Sequence, residues 1–146
     1  MVQRVSRASV RVDRALTGSI DGGLAVFLGI HGNDGPNELQ WMVDKIIHLR
    51  IFEDQEGKMN CSLLDLGKEM LIVSQFTLYG DCRKGRRPGF SEAAPPALAE
   101  PIYLRFIEEV QKRGISVATG RFQATMEVEL VNDGPVTLLI DSEKRF

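Results

Sequence analysis

Cysteine and histidine are scarce in this chain, and their scarcity argues against the commonest metal and nucleophile sites. Only two of each occur among 146 residues. Cys61 and Cys82 are far apart and lack the paired spacing of a zinc or redox motif. His31 and His48 stand on different segments, without the carboxylate spacing of a ligand set. The sequence therefore predicts no metal and no other cofactor, and two free thiols in a reducing compartment.

Long apolar runs are also missing. No stretch approaches the roughly 20 apolar residues that a membrane helix needs. The first residues carry four arginines where a signal peptide would have an apolar core. The length, with 43% hydrophobic and 26% charged residues, suits one globular unit with one core. We therefore expect a single domain over residues 1–146, located in the cytoplasm.

The chain has no strong charge of either sign. A formal net charge of -2 supplies no general attraction to a polyanion, so a nucleic-acid partner would need a local basic patch. One candidate exists on a glycine-containing loop, where four cations fall within five residues: Arg83, Lys84, Arg86 and Arg87. This cluster suits phosphate contacts. From composition alone, a solvated surface loop that binds nothing explains the cluster equally well.

Hydrophobic spacing divides the chain into strands and two helices. Val10 and Val12 alternate with Arg11 and Asp13, and the many β-branched residues of 2–12 favour a strand over the helical stripe that Val2, Val5, Ser9 and Val12 also fit. Residues 22–30 form an almost continuous apolar run, short enough for a strand buried on both faces. From Pro36 the apolar residues recur at three- and four-residue steps, which predicts a helix with proline in its first turn. A second predicted helix ends at Gly114 and carries apolar residues four apart, at Leu98, Ile102, Phe106 and Val110.

The remaining segments complete an α+β fold. Residues 49–53 and 70–78 are predicted strands. Apolar and acidic residues alternate over 126–130 as in a half-exposed strand, and another strand at 136–140 follows a turn at 132–135. We therefore predict a mostly antiparallel sheet with a barrel-like core, covered by two main helices.

The tetrapeptide Asn-Asp-Gly-Pro occurs twice, at residues 33–36 and 132–135, within unrelated flanking sequences. The first copy precedes a helix, where proline is ordinary. The second lies between two predicted strands, where Asp-Gly is a common hairpin turn. Residue types alone thus favour turn chemistry for both copies.

Hydroxyl side chains in the string SQFTL, residues 74–78, are the first candidates for chemistry. Ser74 and Thr77 could face a substrate, but a hydroxyl becomes a nucleophile only beside an activating base. The spacing indicates no such base, although a triad of Ser74, His31 and an aspartate remains an alternative. Cys82 beside Arg83 is a further candidate nucleophile, disfavoured because both histidines are distant in sequence. Spacing alone therefore does not decide the chemistry.

Five short strings, taken in their order, resemble one protein family over essentially the whole chain. They are KMN (58–60), SQFTL (74–78), RPGFS (87–91), GRFQATM (120–126) and NDGPVT (132–137), preceded by the opening strand QRVSRASV. Each string alone is weak. Together and in register they are similar to the bacterial D-aminoacyl-tRNA deacylases.

The resemblance implies a homodimer that hydrolyses D-aminoacyl-tRNA to free D-amino acid and tRNA. It also implies that L-aminoacyl-tRNA is left intact and that glycine is removed from mischarged tRNA-Ala. The pocket for the terminal adenosine and its ester would be formed by Ser74, Gln75, Phe76 and Thr77. Gly134 and Pro135 would be the family's Gly-cisPro element, which enters the partner subunit's pocket and rejects L side chains.

Ester hydrolysis needs donors for the developing oxyanion and an activated water or nucleophile. Because no histidine or metal is expected beside SQFTL, we expect backbone N–H groups near Phe76 and Thr77 to hold the oxyanion. The substrate's own 2′-hydroxyl would then help to activate water. Thr77 as a covalent nucleophile is the alternative mechanism. A non-catalytic RNA-binding module and a small-molecule esterase are the alternative functions.

Overall fold

A six-stranded mixed sheet, curled toward a barrel, organises the protein in the computed structural model, which describes residues 1–145. The strands of the chain are β1 (Val2–Val12), β2 (Ala15–Ile20), β3 (Gly23–Leu28), β4 (Phe52–Glu53), β5 (Met59–Cys61), β6 (Glu69–Ser74), β7 (Val117–Thr119) and β8 (Glu127–Leu138). The main sheet has the order β2-β1-β3-β6-β7, and β8 also pairs with β1. The pairs of β1 are antiparallel, whereas β3, β6 and β7 are mutually parallel.

The barrel nearly closes where β2 meets β7. Gly18 of β2 lies so close that a Cβ built on it would be 2.6 Å from the backbone oxygen of Thr119. A side chain at this position would therefore push the two strands apart. The predicted mostly antiparallel, barrel-like sheet is confirmed, with a parallel portion that the sequence did not indicate.

Two helices cover one face of the sheet, as the periodicity predicts. α1 (Pro36–Ile47) begins with proline and is capped by Glu38, whose carboxylate accepts the Gly35 N–H at 2.9 Å. α2 (Pro96–Lys112) buries Phe106 and Val110 as predicted, but its buried stripe continues through Tyr103 and Ala99 and not through Ile102 and Leu98, because a strict four-residue step drifts around a helix of 3.6 residues per turn. Leu98 is exposed, and the buried residues are Ala99, Tyr103, Phe106 and Val110.

Two apolar clusters follow from this layering. One lies between the helices and the outer face of the sheet, and the other fills the barrel interior. Strand β6 contributes to both, since Met70 and Ile72 face the helices while Leu71 and Val73 face the interior. This double burial explains the apolar character of the central strands.

Within residues 1–145, neither helix has the length and hydrophobicity that a membrane-spanning helix needs.

The predicted strand at 49–53 is much shorter than expected. Only Phe52–Glu53 (β4) is a strand, and it pairs with Met59–Cys61 (β5) as a two-stranded hairpin outside the main sheet. The Asp54 carboxylate accepts the backbone N–H groups of Glu56 and Lys58, which fixes the predicted turn between them. The KMN string therefore lies on an exposed hairpin.

Candidate functional site

The SQFTL segment leaves the sheet where β3 and β6 end side by side. Ser74 pairs with Leu28, and the Gln75 N–H donates to the Leu28 carbonyl at 2.8 Å. The chain then forms a single 3-10 turn over Phe76–Tyr79. The prediction of a strand through residue 78 is therefore wrong. Ser74 is the last residue of β6 and Thr77 lies in the turn, so their hydroxyls are found where the parallel strands end, a common place for binding residues.

Polar and aromatic groups meet on this turn. The Gln75 side-chain amide donates to the Thr77 hydroxyl. The Phe76 ring is 57% exposed and packs edge-on against Phe90, with 5.1 Å between ring centroids. Such an exposed aromatic pair offers a stacking surface for a nucleobase. Phe90 was not among the predicted site residues, although its place in the RPGFS string was a signal.

Neither histidine serves as a base for this turn. The His31 ring lies beside Tyr79, with 5.6 Å between centroids, and His48 ends α1 next to Asp44. Among residues 1–145, neither ring is hydrogen-bonded to Ser74 or Thr77. Burial, with the nearby Asp34 carboxylate, raises the pKa of Tyr79 to about 12, so its phenol stays protonated at neutral pH. The structure thus brings no activating base to the hydroxyls.

The second Asn-Asp-Gly-Pro segment is not a hairpin turn, which corrects the sequence prediction. Strand β8 runs through it and stays paired with β1 on both sides. Asn132 pairs with Val5 and Thr137 with Gln3, so residues 133–136 lie opposite Arg4 alone and bulge outward. The Gly134–Pro135 peptide bond in this bulge is cis, as the resemblance implied, and both residues are exposed.

The Arg4 side chain is hydrogen-bonded to the backbone of the bulge. Its side chain is buried, and its Nε donates to the Asp133 carbonyl at 3.1 Å, while a terminal nitrogen donates to the Ile51 carbonyl at 2.6 Å. Gly134 has a φ of 118°, and a Cβ built on it would lie 2.8 Å from the Arg4 guanidinium. Sequence reasoning missed Arg4, because one arginine in an arginine-rich first strand carries no distinguishing signal.

The two candidate segments are separated within one chain. β1 and β3 lie between β8 and β6, which puts the bulge on the order of 14 Å across the sheet from the SQFTL turn at the usual strand spacing. The two segments are also offset along the strand direction. The bulge lies opposite Arg4, whose partner on β3 is Leu24, whereas the turn follows Ser74, whose partner on β3 is Leu28. The structure of a single chain therefore does not bring Gly134 and Pro135 to the turn.

The basic loop begins directly after the turn. A two-residue bridge between Asp81 and Gly89 closes it at its base. Arg83 pairs with Asp81 through two contacts of 2.8 Å, and this partner holds the pKa of the Asp81 carboxyl well below its usual range. Within residues 1–145, Lys84, Arg86 and Arg87 are exposed and have no ion-pair partner. Three of the four predicted cations are thus available to a polyanion.

Comparison with known proteins agrees with the geometry. A sequence model described as D-Tyr-tRNA(Tyr) deacylase matches residues 1–141. The chain belongs to this family. A D-aminoacyl-tRNA deacylase of Desulfotalea psychrophila is 62% identical over 146 residues, which are 100% of this chain and 98% of that protein. A D-aminoacyl-tRNA deacylase of Clostridioides difficile is 56% identical over the same shares.

Solved structures share the deacylase-family fold. One called c-Myc DNA Unwinding Element Binding Protein has a TM-score of 0.88 and 44% identity, covering 94% of this chain and 93% of that one. A probable eukaryotic D-amino acid tRNA deacylase has a TM-score of 0.78 over 92% and 93% of the two chains. At 20% identity this second likeness concerns the fold alone.

Proposed function

We propose that this chain hydrolyses the ester between a D-amino acid and the 3′-terminal adenosine of tRNA, releasing both, and that it leaves L-aminoacyl-tRNA intact. The observation that carries the proposal is the turn at Phe76–Tyr79, where exposed aromatic and polar groups meet at the end of strand β6 in a member of the deacylase family. The reaction takes place in the cytoplasm, and glycine mischarged onto tRNA-Ala is a second substrate.

The turn supplies the binding groups. The adenine stacks on the Phe76–Phe90 surface, while Ser74, Gln75 and Thr77 surround the ribose and ester. In support, Phe76 and Thr77 are exposed and the Gln75 amide already orients the Thr77 hydroxyl. Ligand pockets of this kind combine an apolar surface with a few placed polar groups.

Backbone donors stabilise the oxyanion in this mechanism. Two N–H groups at the start of the turn, those of Phe76 and Thr77, have no backbone partner among the described residues, whereas the Leu78 N–H donates to the Gln75 carbonyl. Fixed, unpaired N–H groups are the donors that stabilise developing charge most effectively. Because no base lies beside Thr77, the substrate's 2′-hydroxyl positions and activates the attacking water.

The chiral filter comes from a second copy of the chain. Gly134 and Pro135 of that copy enter the pocket and form a backbone wall where an L side chain would project, while D side chains and the hydrogen of glycine point elsewhere. Two features favour this arrangement. The bulge is exposed and fixed by Arg4, and it lies far across the sheet from the turn of its own chain.

The basic loop holds the tRNA. Lys84, Arg86 and Arg87 extend from the end of the turn and contact phosphates near the acceptor end. Such contacts fix the position of the RNA without reading its sequence, so they add affinity and leave the chiral choice to the pocket.

One substrate panel tests the proposal. The purified protein is incubated with D-tyrosyl-tRNA, L-tyrosyl-tRNA and a simple D-tyrosine ester, and the release of tyrosine is followed. Hydrolysis of D-tyrosyl-tRNA alone is the expected result. Binding without hydrolysis would identify an RNA-binding module, and efficient cleavage of the free ester would identify a small-molecule esterase. Glycyl-tRNA-Ala, added to the same panel, tests the second substrate.

A further inference from the structure

Gly29, the residue after β3, packs against the turn that carries the proposed oxyanion donors. Its φ lies outside the left-handed region, so the backbone there suits any L residue and the glycine supplies only space. A Cβ built on it would lie 3.2 Å from the Gln75 carbonyl oxygen, 3.2 Å from Tyr79 Cε2 and 3.3 Å from the Leu78 Cβ. The three nearest atoms thus all belong to residues 75–79, and a side chain at this position would push the turn away from β3.

The contact with the Gln75 carbonyl reaches one of these donors directly. The carbonyl of Gln75 and the N–H of Phe76 belong to one peptide unit, whose atoms stay close to a plane. The Phe76 N–H is one of the two donors that the proposed mechanism uses. A displacement of the Gln75 carbonyl therefore also moves or rotates this donor.

Two hydrogen bonds hold the same stretch of backbone. The Gln75 N–H donates to the Leu28 carbonyl at 2.8 Å, which ties the turn to the end of β3. The Gln75 carbonyl accepts the Leu78 N–H at 3.3 Å, which closes the turn. A side chain on Gly29 would press on this carbonyl, so it could be accommodated only if one of these bonds lengthened or the peptide unit turned.

We propose that Gly29 is a positioning residue for deacylation, because its lack of a side chain lets the turn lie close against the end of β3 and so sets the place of the Phe76 N–H. The inference rests on the proposed function, since it concerns the donors assigned there. The ring of Phe90 and the basic loop, which are proposed to hold the tRNA, are not among the three atoms nearest to a Cβ on Gly29. A side chain at Gly29 should therefore slow the chemical step and leave tRNA binding intact.

The size of the expected effect follows from the contact distances. A Cβ at 3.2–3.3 Å requires its neighbours to give by a few tenths of an ångström. Catalytic groups must be held within about 0.5 Å and about 10–20° of the productive geometry. Removal of one oxyanion donor costs on the order of 100-fold or more, so a partly misplaced donor should cost about tenfold.

The test separates the chemical step from tRNA binding in the variant Gly29→Ala. Single-turnover hydrolysis of D-tyrosyl-tRNA at saturating protein gives the rate of the chemical step. Binding is measured as the Kd of an analogue in which D-tyrosine is joined to the tRNA by an amide bond in place of the ester. The rate should fall about tenfold or more, while the Kd should stay within about twofold of the parent's. The parent in the same assay tests the proposed function itself, so an inactive parent is distinct from an unaffected variant.

Gly22→Ala is the matched control, because Gly22 directly precedes β3 as Gly29 directly follows it. It is also half-buried with a φ outside the left-handed region, and a Cβ on it would lie 3.2 Å from Lys68 Nζ, the flexible end of a side chain. Gly57→Ala controls for stability, since its positive φ destabilises the β4–β5 hairpin without a contact to the turn. Both controls should keep the parent's rate and Kd.

Three outcomes would overturn the positioning role. The first is an unchanged rate in Gly29→Ala, and the second is a Kd that weakens as much as the rate falls, since the whole pocket would then be displaced. The third is a rate loss no larger than that of Gly57→Ala, which would mean that Gly29 acts only through folding. If Gly29→Ala does not fold, Tyr79→Ala decides, because it removes the ring beside Gly29 and adds no atom. It should slow the chemical step about threefold or more with the Kd unchanged, and an unchanged rate would overturn the inference.

Discussion

Thr77 is the residue that separates the two mechanisms. Its hydroxyl accepts a hydrogen bond from the Gln75 amide and has no base beside it in the described chain. If backbone donors and the substrate's 2′-hydroxyl carry the reaction, Thr77→Ala should keep single-turnover deacylation of D-tyrosyl-tRNA within about threefold of the parent rate, a barrier change under ~1 kcal/mol.

The same substitution can contradict this mechanism. Complete loss of single-turnover activity, in a variant whose Tm matches the parent, would establish Thr77 as the nucleophile. Removal of the substrate's 2′-hydroxyl, by charging tRNA that ends in 2′-deoxyadenosine, should conversely abolish turnover by the parent protein.

Gly134 is constrained twice, by its backbone and by its proposed place in the partner's pocket. Its φ of 118° is unfavourable for an L residue, and a Cβ would meet Arg4 and Val136 at 2.8 and 3.0 Å. Gly134→Ala should cost about 1–3 kcal/mol of stability. Loss of deacylation at a temperature where the variant is folded should be far larger, at least a hundredfold.

Gly57→Ala is the matched control for that variant. Gly57 also has a positive φ, 75°, but a Cβ there has no atom within 4 Å, and the residue lies on the distant hairpin. This control should lose roughly 1–2 kcal/mol of stability, from its positive φ alone, and keep its deacylation rate. Equal activity losses in both variants would show that Gly134 acts only through folding.

At the scale of elements, the basic loop carries a prediction about salt. Replacement of Lys84, Arg86 and Arg87 with glutamine should weaken tRNA binding and lower the slope of log Kd against log salt by about two units. The preference for D over L substrates should not change.

A second triple variant controls for net charge. Arg11, Arg14 and Arg105 are exposed cations outside the loop, and their replacement removes the same formal charge. This control should leave the salt slope close to that of the parent. Equal slopes in the two triple variants would show that the loop is solvated and holds no phosphate.

The elements also show how far the sequence predicts this structure. Periodicity located β1, β3 and both helices, because burial on a fixed face leaves a regular apolar pattern. It failed at SQFTL and at Asn132–Pro135. A strand that ends in a 3-10 turn, and a bulge opposite one arginine, depend on long-range pairing with Leu28 and Arg4. Local residue types do not encode such pairing. The proposed roles of both segments rest on the resemblance to the family, because spacing assigns them none.

At the scale of the whole molecule, the near closure of the barrel depends on Gly18. A methyl group there would collide with the Thr119 backbone at 2.6 Å, so Gly18→Ala should destabilise the protein by about 1–3 kcal/mol and lower the Tm by several degrees. Gly32→Ala is the control, since a Cβ at Gly32 has no atom within 4 Å. Equal Tm values for the two variants would mean that β2 and β7 are free to separate.

The central claim is that the turn of one subunit and the bulge of the other form one site. Mixed dimers, isolated with two affinity tags, test it most directly. One subunit carries Gly134→Ala and the other carries Phe76→Ala. If the site is shared, such a dimer has one intact site and one doubly damaged site, and it should retain up to half of the parent's deacylation of D-tyrosyl-tRNA.

The reciprocal dimer makes the measurement decisive. It places both changes in one subunit and pairs that subunit with an unaltered one, so every shared site carries one defect and activity should be lost. The opposite pattern, an inactive first dimer and a half-active reciprocal dimer, would contradict the account, because each subunit would then use its own turn and its own bulge.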